Sequence, residues 1–326
     1  MKLAIMGAGA VGRSVAELAP EYGHTITGIA DSASSVQDPA GIDVDAVLDR
    51  KGESGAVGTA PPEDVLEAEY DVLVEATPTT LGDAEPGFGH VVRALERDRD
   101  VVLANKGPVA ERYDDVMDAA GESEGAVRFE ATVGGAIPAI ATAEGIGAKH
   151  ISAARGVLNG TANFVLTRMA TEGLAYEHVL AEAQDLGVAE ADPSFDVEGT
   201  DAALKGVILA NVLDDGGHQL ADAEIEGIED FPANALEVAN EDGMTIRLIA
   251  EVSADHVRVG PRLVPENATL AVTGTMNILQ FDTAHAGQLN VSGRGAGGPE
   301  TASAVLADVN RLTCANGSGR STADRD

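Results

Sequence analysis

"KLAIMGAGAVGRSVAELAPEYGHTITGIAD", residues 2–31, is the stretch whose reading decides the fold. Lys2–Met6 reads as a short buried strand. Gly7, Gly9 and Gly12 then form G-x-G-x-x-G, Val11–Ala19 shows helical periodicity, and Thr25–Ala30 gives a second strand closed by Asp31. The first two glycines permit a tight turn and close approach of a pyrophosphate. The third lets helix and strand pack. Amides at the new helix N-terminus, at Ala10 and Val11, are suited to phosphate oxygens. Gly7, Gly9, Ala10, Val11 and Gly12 are therefore candidate cofactor contacts. Asp31 is placed to bind the hydroxyls of an adenosine ribose. A carboxylate there favours NAD over NADP, and "SASS" after it holds no arginine for the extra phosphate. Lys51, further on, is within reach of that phosphate, so NADP stays open.

The strand–helix rhythm continues outward from this stretch. "DVLVEATPT" reads as a strand over 71–76 with a polar exit at Thr77, and "HVVRALERD" as an amphipathic helix. "DVVLANKGPVA" is a strand ending at Asn105–Lys106. "YDDVMDAAGESEG" is a helix, and "VRFEATVGGAIPAI" a further strand with a glycine-rich exit. This alternation predicts an α/β fold of Rossmann type, a doubly wound parallel sheet. Ligands bind at the carboxyl ends of such strands, where Thr77, Lys106 and residues 130–135 fall. Past residue 135 the rhythm changes to helices over 161–172 and after Asp201, and to β-rich stretches over 245–259 and 268–279. The organisation predicted is a dinucleotide-binding domain over 1–135 and an inserted α+β catalytic and dimerisation domain over 136–290. A C-terminal glycine loop and helix over 291–315 returns to the first domain, and 316–326 is a disordered tail.

Composition narrows the function. The 326 residues carry 54 Asp and Glu against 21 Lys and Arg, a formal net charge of −33. Nucleic acid and anionic membrane surfaces are poor partners for such a field. Lysine occurs only at Lys2, Lys51, Lys106, Lys149 and Lys205, and aromatic residues make up 3%. This pattern resembles proteins of extreme halophiles, where high salt screens self-repulsion. Cys314 is the one cysteine, which excludes an intrachain disulfide and a cysteine metal cluster. No signal segment and no membrane span is visible, so the cytoplasm is the expected compartment.

Against this acidic background "VAEADPSFDVEGTDAALK", residues 188–205, stands apart because it ends in a lysine. Pro193 keeps helix out of the middle, and Thr200 is the expected N-cap of the helix that follows. Asp201 and Lys205 are then i and i+4 on one face of an otherwise apolar helix. A surface ion pair is the ordinary reading of that spacing, worth a few tenths of a kcal/mol. The apolar helix and the scarcity of lysine argue instead for a proton donor of tunable pKa, which arginine is not. The same reasoning singles out Lys106.

These residues also carry a family resemblance. The 188–205 stretch is similar to the signature of homoserine dehydrogenase, A-D-P…D-x-x-G-x-D-x-x-x-K. "VLANKGPVA", "FEATVGGAIPAI", "VLNGTANFVLTRM" and "GRGAGGPETASAVLADV" resemble other segments of that family, and in order they cover nearly the whole chain. The resemblance implies reversible NAD(P)-dependent reduction of L-aspartate 4-semialdehyde to L-homoserine, on the route to threonine, isoleucine and methionine. It implies Lys205 as proton donor with Asp201 as its catalytic neighbour, and Glu190, Asp196, Thr161 and Lys106 at the substrate. It implies Lys106 and Gly297 as cofactor contacts, and a monovalent cation such as sodium on the carbonyls of Glu130, Val133, Gly135 and Ile137. Asp192 and Glu198 acquire no role. Some members of the family add a C-terminal regulatory domain; with none visible here, threonine feedback of that kind is not expected. A homodimer formed through the β-rich segments is expected. Two other readings compete: another NAD(P)-dependent amino-acid aldehyde oxidoreductase, and a non-catalytic NAD(H)-binding sensor, which has no need of Lys205.

Overall fold

The computed structural model describes residues 1–229, 231, 233–253 and 256–320. It divides into two compact units, one of 1–136 with 297–326, the other of 137–296.

The first unit is built on six strands: β1 (Lys2–Met6), β2 (Thr25–Ala30), β3 (Ser35–Gln37), β4 (Val72–Glu75), β5 (Asp100–Leu103) and β6 (Val127–Arg128). Their order is β3-β2-β1-β4-β5-β6. All neighbours are parallel except β3, which is antiparallel to β2. Chain order reverses between β1 and β4, and this switch point is where a doubly wound sheet binds ligands. Helices α1 (Ala10–Leu18), α2 (Val44–Ser54), α3 (Gly87–Leu95), α4 (Gly107–Glu111), α5 (Tyr113–Gly121) and the short α6 (Ala131–Gly134) follow the strands. Leu3, Ile5, Ile29, Val72, Val74 and Val102 form the apolar core of the sheet, fully or almost fully buried. Near-continuous apolar runs in these strands reflect burial on both faces.

The second unit holds α7 (Ala139–Ile146), β7 (Ile151–Val157), α8 (Gly160–Glu172), α9 (Tyr176–Asp185), α10 (Ser194–Val197), α11 (Thr200–Asp214), β8 (Glu224–Ile225) and α12 (Ala233–Glu241). It continues with β9 (Met244–Ser253), β10 (His256–Pro265), β11 (Met276–Thr283) and β12 (Gly287–Arg294). The sheet order is β12-β11-β7-β9-β10-β8. It is antiparallel apart from the short β10–β8 pairing. Helix α11 is apolar almost all round and buried from Asp201 to Asn211, as an interior helix must be. It lies against β9 and β10, and Gly206 permits the close fit: a Cβ there would stand 2.9 Å from Val257 Cγ1.

The chain then returns to the first unit as α13 (Gly298–Arg320). Its first residue packs on the start of α1, where a Cβ at Gly298 would meet Ser14 Oγ at 2.8 Å and the Ala10 carbonyl at 2.9 Å. Val305, Leu306, Val309 and Leu312 join the sheet core.

Four local expectations are corrected. The strand in "VRFEATVGG" stops after Arg128, and Ala131–Gly134 is a helical turn. Glu130 N leaves the sheet edge to donate to Asp308 Oδ2 of α13 at 2.8 Å. Residues 268–275 precede the strand, which starts at Met276; Ala268, Leu270, Ala271 and Val272 instead pack as a loop on Val157, Ile249, Val264 and Ile278. The N-cap of α11 is Gly199, not Thr200: its φ of +91° is open to glycine and strained for other residues. Helix α13 extends to Arg320, past the point where composition predicts a tail, and 321–326 lie outside the described residues.

Candidate active site

In the first unit the glycine loop joins β1 to α1. Gly7 has φ +105°, and a Cβ there would stand 2.4 Å from the Ala76 carbonyl oxygen at the end of β4. A Cβ at Gly12 would stand 1.8 Å from the Gly7 carbonyl oxygen. These two glycines are demanded by the protein's own packing. Gly9 is different: its backbone is extended, and a Cβ would meet nothing within 4 Å. Gly9 and Ala10 are exposed and Val11 half-buried at the start of α1. The first amides of a helix have no intrahelical acceptor. The loop thus has open space and free donors where a pyrophosphate would lie, and it fits a dinucleotide. Gly297, with φ +124°, directly precedes α13 in this same unit.

Asp31 is buried, and five donors converge on it. Oδ1 accepts from the amides of Ala33 and Ser34, each at 2.8 Å, and from Ser34 Oγ at 3.2 Å. Oδ2 accepts from Lys51 Nζ at 2.6 Å and Val57 N at 3.1 Å. Burial alone would raise its pKa. The Lys51 ammonium and the three amides outweigh that and hold it down at about 2. The carboxylate expected to be free for a ribose is therefore spent on its own loop, and Lys51 is its counter-ion.

Thr77 and Lys106 sit at the ends of β4 and β5. Lys106 is half-buried and caps α4, its amide donating to Thr79 Oγ1 at 3.4 Å. Between them lies a network with no signal in the sequence. Glu75, fully buried, accepts at Oε1 from Thr77 N (3.0 Å), from the Thr77 hydroxyl and from Asn105 Nδ2 (3.3 Å). Its Oε2 accepts from His90 Nδ1 at 2.7 Å.

The proposed cation ligands divide between the units. Glu130, Val133 and Gly135 belong to the α6 turn of the first unit, and Ile137 opens the second. The Glu130 carbonyl accepts from Val133 N at 3.3 Å and that of Ile137 from Ala139 N at 2.8 Å. The Glu130 side chain faces Arg311 of α13 at 3.2 Å.

In the second unit the signature stretch folds into a buried cluster. Lys205 and Asp201 are each 6% exposed, which excludes the surface-pair reading. Lys205 Nζ donates to Asp201 Oδ2 at 2.7 Å and to the Leu158 carbonyl at 2.6 Å. Its third N–H has no acceptor among the described residues. Asn159, which sequence reasoning passed over, ties the cluster together. Its Nδ2 donates to Asp201 Oδ2 at 2.8 Å and Asp196 Oδ1 at 2.6 Å. Its Oδ1 caps α8 by accepting from Ala162 N at 2.8 Å. The available signal was an asparagine directly before a helix. Burial raises the Asp196 pKa, and the Asp201 carboxylate adds to the rise; Asn159, Thr161 and Lys205 oppose it. Thr161 donates to the Val188 carbonyl at 3.1 Å. Glu190 is exposed, and its carboxylate makes no hydrogen bond to the cluster. Asp192 and Glu198 are exposed, the former bonded to Ser194.

Residues 138–309 match the family model described as homoserine dehydrogenase. The chain belongs to the homoserine dehydrogenase family. Residues 1–184 also match the model for glutamate, leucine, phenylalanine and valine dehydrogenases, which spans the glycine loop and sheet of the first unit. The homoserine dehydrogenase of Methanocaldococcus jannaschii is 38% identical, over 95% of this chain and 97% of its own. The NAD(+)-dependent homoserine dehydrogenase of Pseudomonas canavaninivorans is 35% identical, over 94% and 95%. Among solved structures, one from Archaeoglobus fulgidus assigned to homoserine dehydrogenase superposes with a TM-score of 0.89 at 41% identity, covering 96% of this chain and 99% of that one. A hyperthermophilic archaeal homoserine dehydrogenase in complex with NADPH gives 0.83 at 28% identity, over 96% and 98%. Members of this family are NAD(P)-dependent oxidoreductases, and no helix among the described residues is long and apolar enough to cross a membrane.

Proposed function

We propose that the protein reversibly reduces L-aspartate 4-semialdehyde to L-homoserine, in the supply of threonine, isoleucine and methionine, with Lys205 as proton donor. The observation that carries this reading is the buried Lys205–Asp201 pair, 2.7 Å apart on an interior helix. A lysine held there at the cost of desolvation is worth more to chemistry than to stability.

The cofactor, when bound, exchanges a hydride with the substrate carbon. The alkoxide that develops on the aldehyde oxygen needs a proton and a positive charge, and the Lys205 ammonium can supply both. Asp201 and the Leu158 carbonyl fix Nζ through two of its three N–H bonds, which leaves the third for the substrate oxygen. Asn159 holds Asp201 and Asp196 at a set separation. Glu190, exposed and acceptor-only, suits the substrate ammonium. Lys106 offers a cation toward cofactor and substrate carboxylate. Thr77 and Gly297 are proposed cofactor contacts, and the neutral carbonyls of the α6 turn suit a monovalent cation.

Lys51 neutralises Asp31, which weakens the repulsion of a ribose phosphate; NAD or NADP is proposed as the cofactor. A cytoplasmic homodimer is proposed, with β12 as an edge strand of the second sheet, and a salt-adapted surface accounts for the acid excess.

Homoserine-dependent reduction of NAD⁺ and of NADP⁺, followed in molar salt, tests the reading. Turnover with at least one cofactor is expected, and the ratio of the two kcat/KM values gives the preference. Absence of turnover with both overturns the assignment.

A further inference from the structure

We propose that Glu75 is a positioning residue for the nicotinamide half of the cofactor, acting by accepting the hydrogen bond of the Thr77 hydroxyl and thereby presenting that hydroxyl outward as an acceptor only. This rests on the cofactor reading above. A doubly wound sheet has two mononucleotide halves. The first, around β1–β3, takes the adenosine, so the second nucleotide lies over the ends of β4 and β5, where Thr77 and Asn105 stand.

A carboxylate with no solvent exposure is costly unless its oxygens are satisfied. Glu75 is one, and its partners come from three separate elements. Thr77 belongs to the β4–α3 loop, Asn105 to the β5–α4 junction, and His90 to α3. His90 is the only basic side chain bonded to Glu75 among the described residues. An ionised carboxylate only accepts, so the Thr77 hydroxyl proton points at Oε1. The Asn105 amide occupies one face of the same hydroxyl, donating to Thr77 Oγ1 at 3.1 Å. What remains is a single lone pair, complementary to an N–H donor such as a carboxamide.

Asn105 is itself held in place. Its Oδ1 accepts from Gly107 N at 2.9 Å, and a Cβ at Gly87 would stand 2.4 Å from its Nδ2. Two loops and a helix are thus tied by one carboxylate into a rigid acceptor. A merely structural acid would explain the burial of Glu75. It would not explain why two of its donors are the hydroxyl and amide of a residue on the ligand-binding edge of the sheet.

The test compares two ligands, the reduced dinucleotide and ADP-ribose, which lacks the nicotinamide, on wild type, Glu75→Gln, His90→Leu and His90→Asn. Glu75→Gln offers an amide that can donate back to the Thr77 oxygen and release its proton outward. It should weaken NADH or NADPH binding about tenfold, leave ADP-ribose within about twofold, and lower kcat without moving the homoserine KM. His90→Leu, at a less buried position, should weaken dinucleotide binding in the same selective way. His90→Asn, whose amide can replace the Nδ1 donor, should restore it. Equal losses for both ligands, or no loss for either, overturn the positioning role while leaving the cofactor reading intact. A wild-type protein that binds neither dinucleotide overturns both.

Discussion

At the start of α1 the groups left for a ligand are backbone amides and bare Cα atoms. Around the start of α11 they are side chains: the buried Lys205, Asp201 and Asn159, the last capping α8, and the half-buried Asp196 of α10. The first arrangement costs little, because helix amides are unsatisfied in any case and glycines only remove bulk. The second is expensive, because each charge must be desolvated and then matched. The backbone site can bind a phosphate but cannot move a proton. The side-chain site is suited to moving one, and it depends on every partner being present.

This contrast predicts how each region fails. Lys205→Ala should reduce kcat by about 10²–10⁴-fold while the dissociation constant for NAD(P)H stays within about twofold; an unimpaired variant would remove Lys205 from the mechanism. In the glycine loop, substitution should separate folding from binding. Gly12→Ala puts a Cβ against the Gly7 carbonyl and should destabilise by about 3 kcal/mol or more, read as a large fall in Tm. Gly9→Ala has room in the protein, so Tm should hold while the cofactor KM rises about tenfold. A Gly9 variant that loses stability instead would show that the loop is not open.

Asn159→Ala removes a helix cap and one donor from each of two carboxylates, the buried Asp201 and the half-buried Asp196. It should cost about 2 kcal/mol in denaturant unfolding and lower kcat as Asp201 loses its tether. Asp196→Asn should have the smallest effect, and of the opposite sign on stability. The folded pKa of Asp196 is raised above its ordinary 3.8, so the folded state holds that proton more tightly. The stability this contributes is present below 3.8 and is lost as pH rises through the folded value. At neutral pH the ionised group is a net cost, and the asparagine variant should melt slightly higher than wild type there. Below pH 3.8 the advantage should vanish; a melting temperature lowered at neutral pH would contradict it.

The fold was largely legible because its signals are local. The G-x-G-x-x-G at residue 7, the apolar strands and the amphipathic helices each depend on neighbours in sequence. The unit boundary near residue 136 coincides with the loss of that rhythm. Errors came where a distant contact overrode a local pattern. Phe129 and Glu130 read as strand until Asp308, far along the chain, captures the Glu130 amide. Residues 268–272 read as strand because they are apolar, whereas their apolar side chains cover a small core as a loop.

By itself the sequence determined the class of the protein: a dinucleotide unit, a second α+β unit, and a lysine placed on an apolar helix four residues after an aspartate. Periodicity and spacing suffice for these, because they concern which residues share an element. Only the tertiary structure decided which charges face one another. It spent Asp31 on Lys51, made Asn159 the link between Asp196 and Asp201, and buried Glu75 beneath Thr77. Pairing of buried charges is set by desolvation and by contacts between elements remote in sequence, and neither is written in any local pattern.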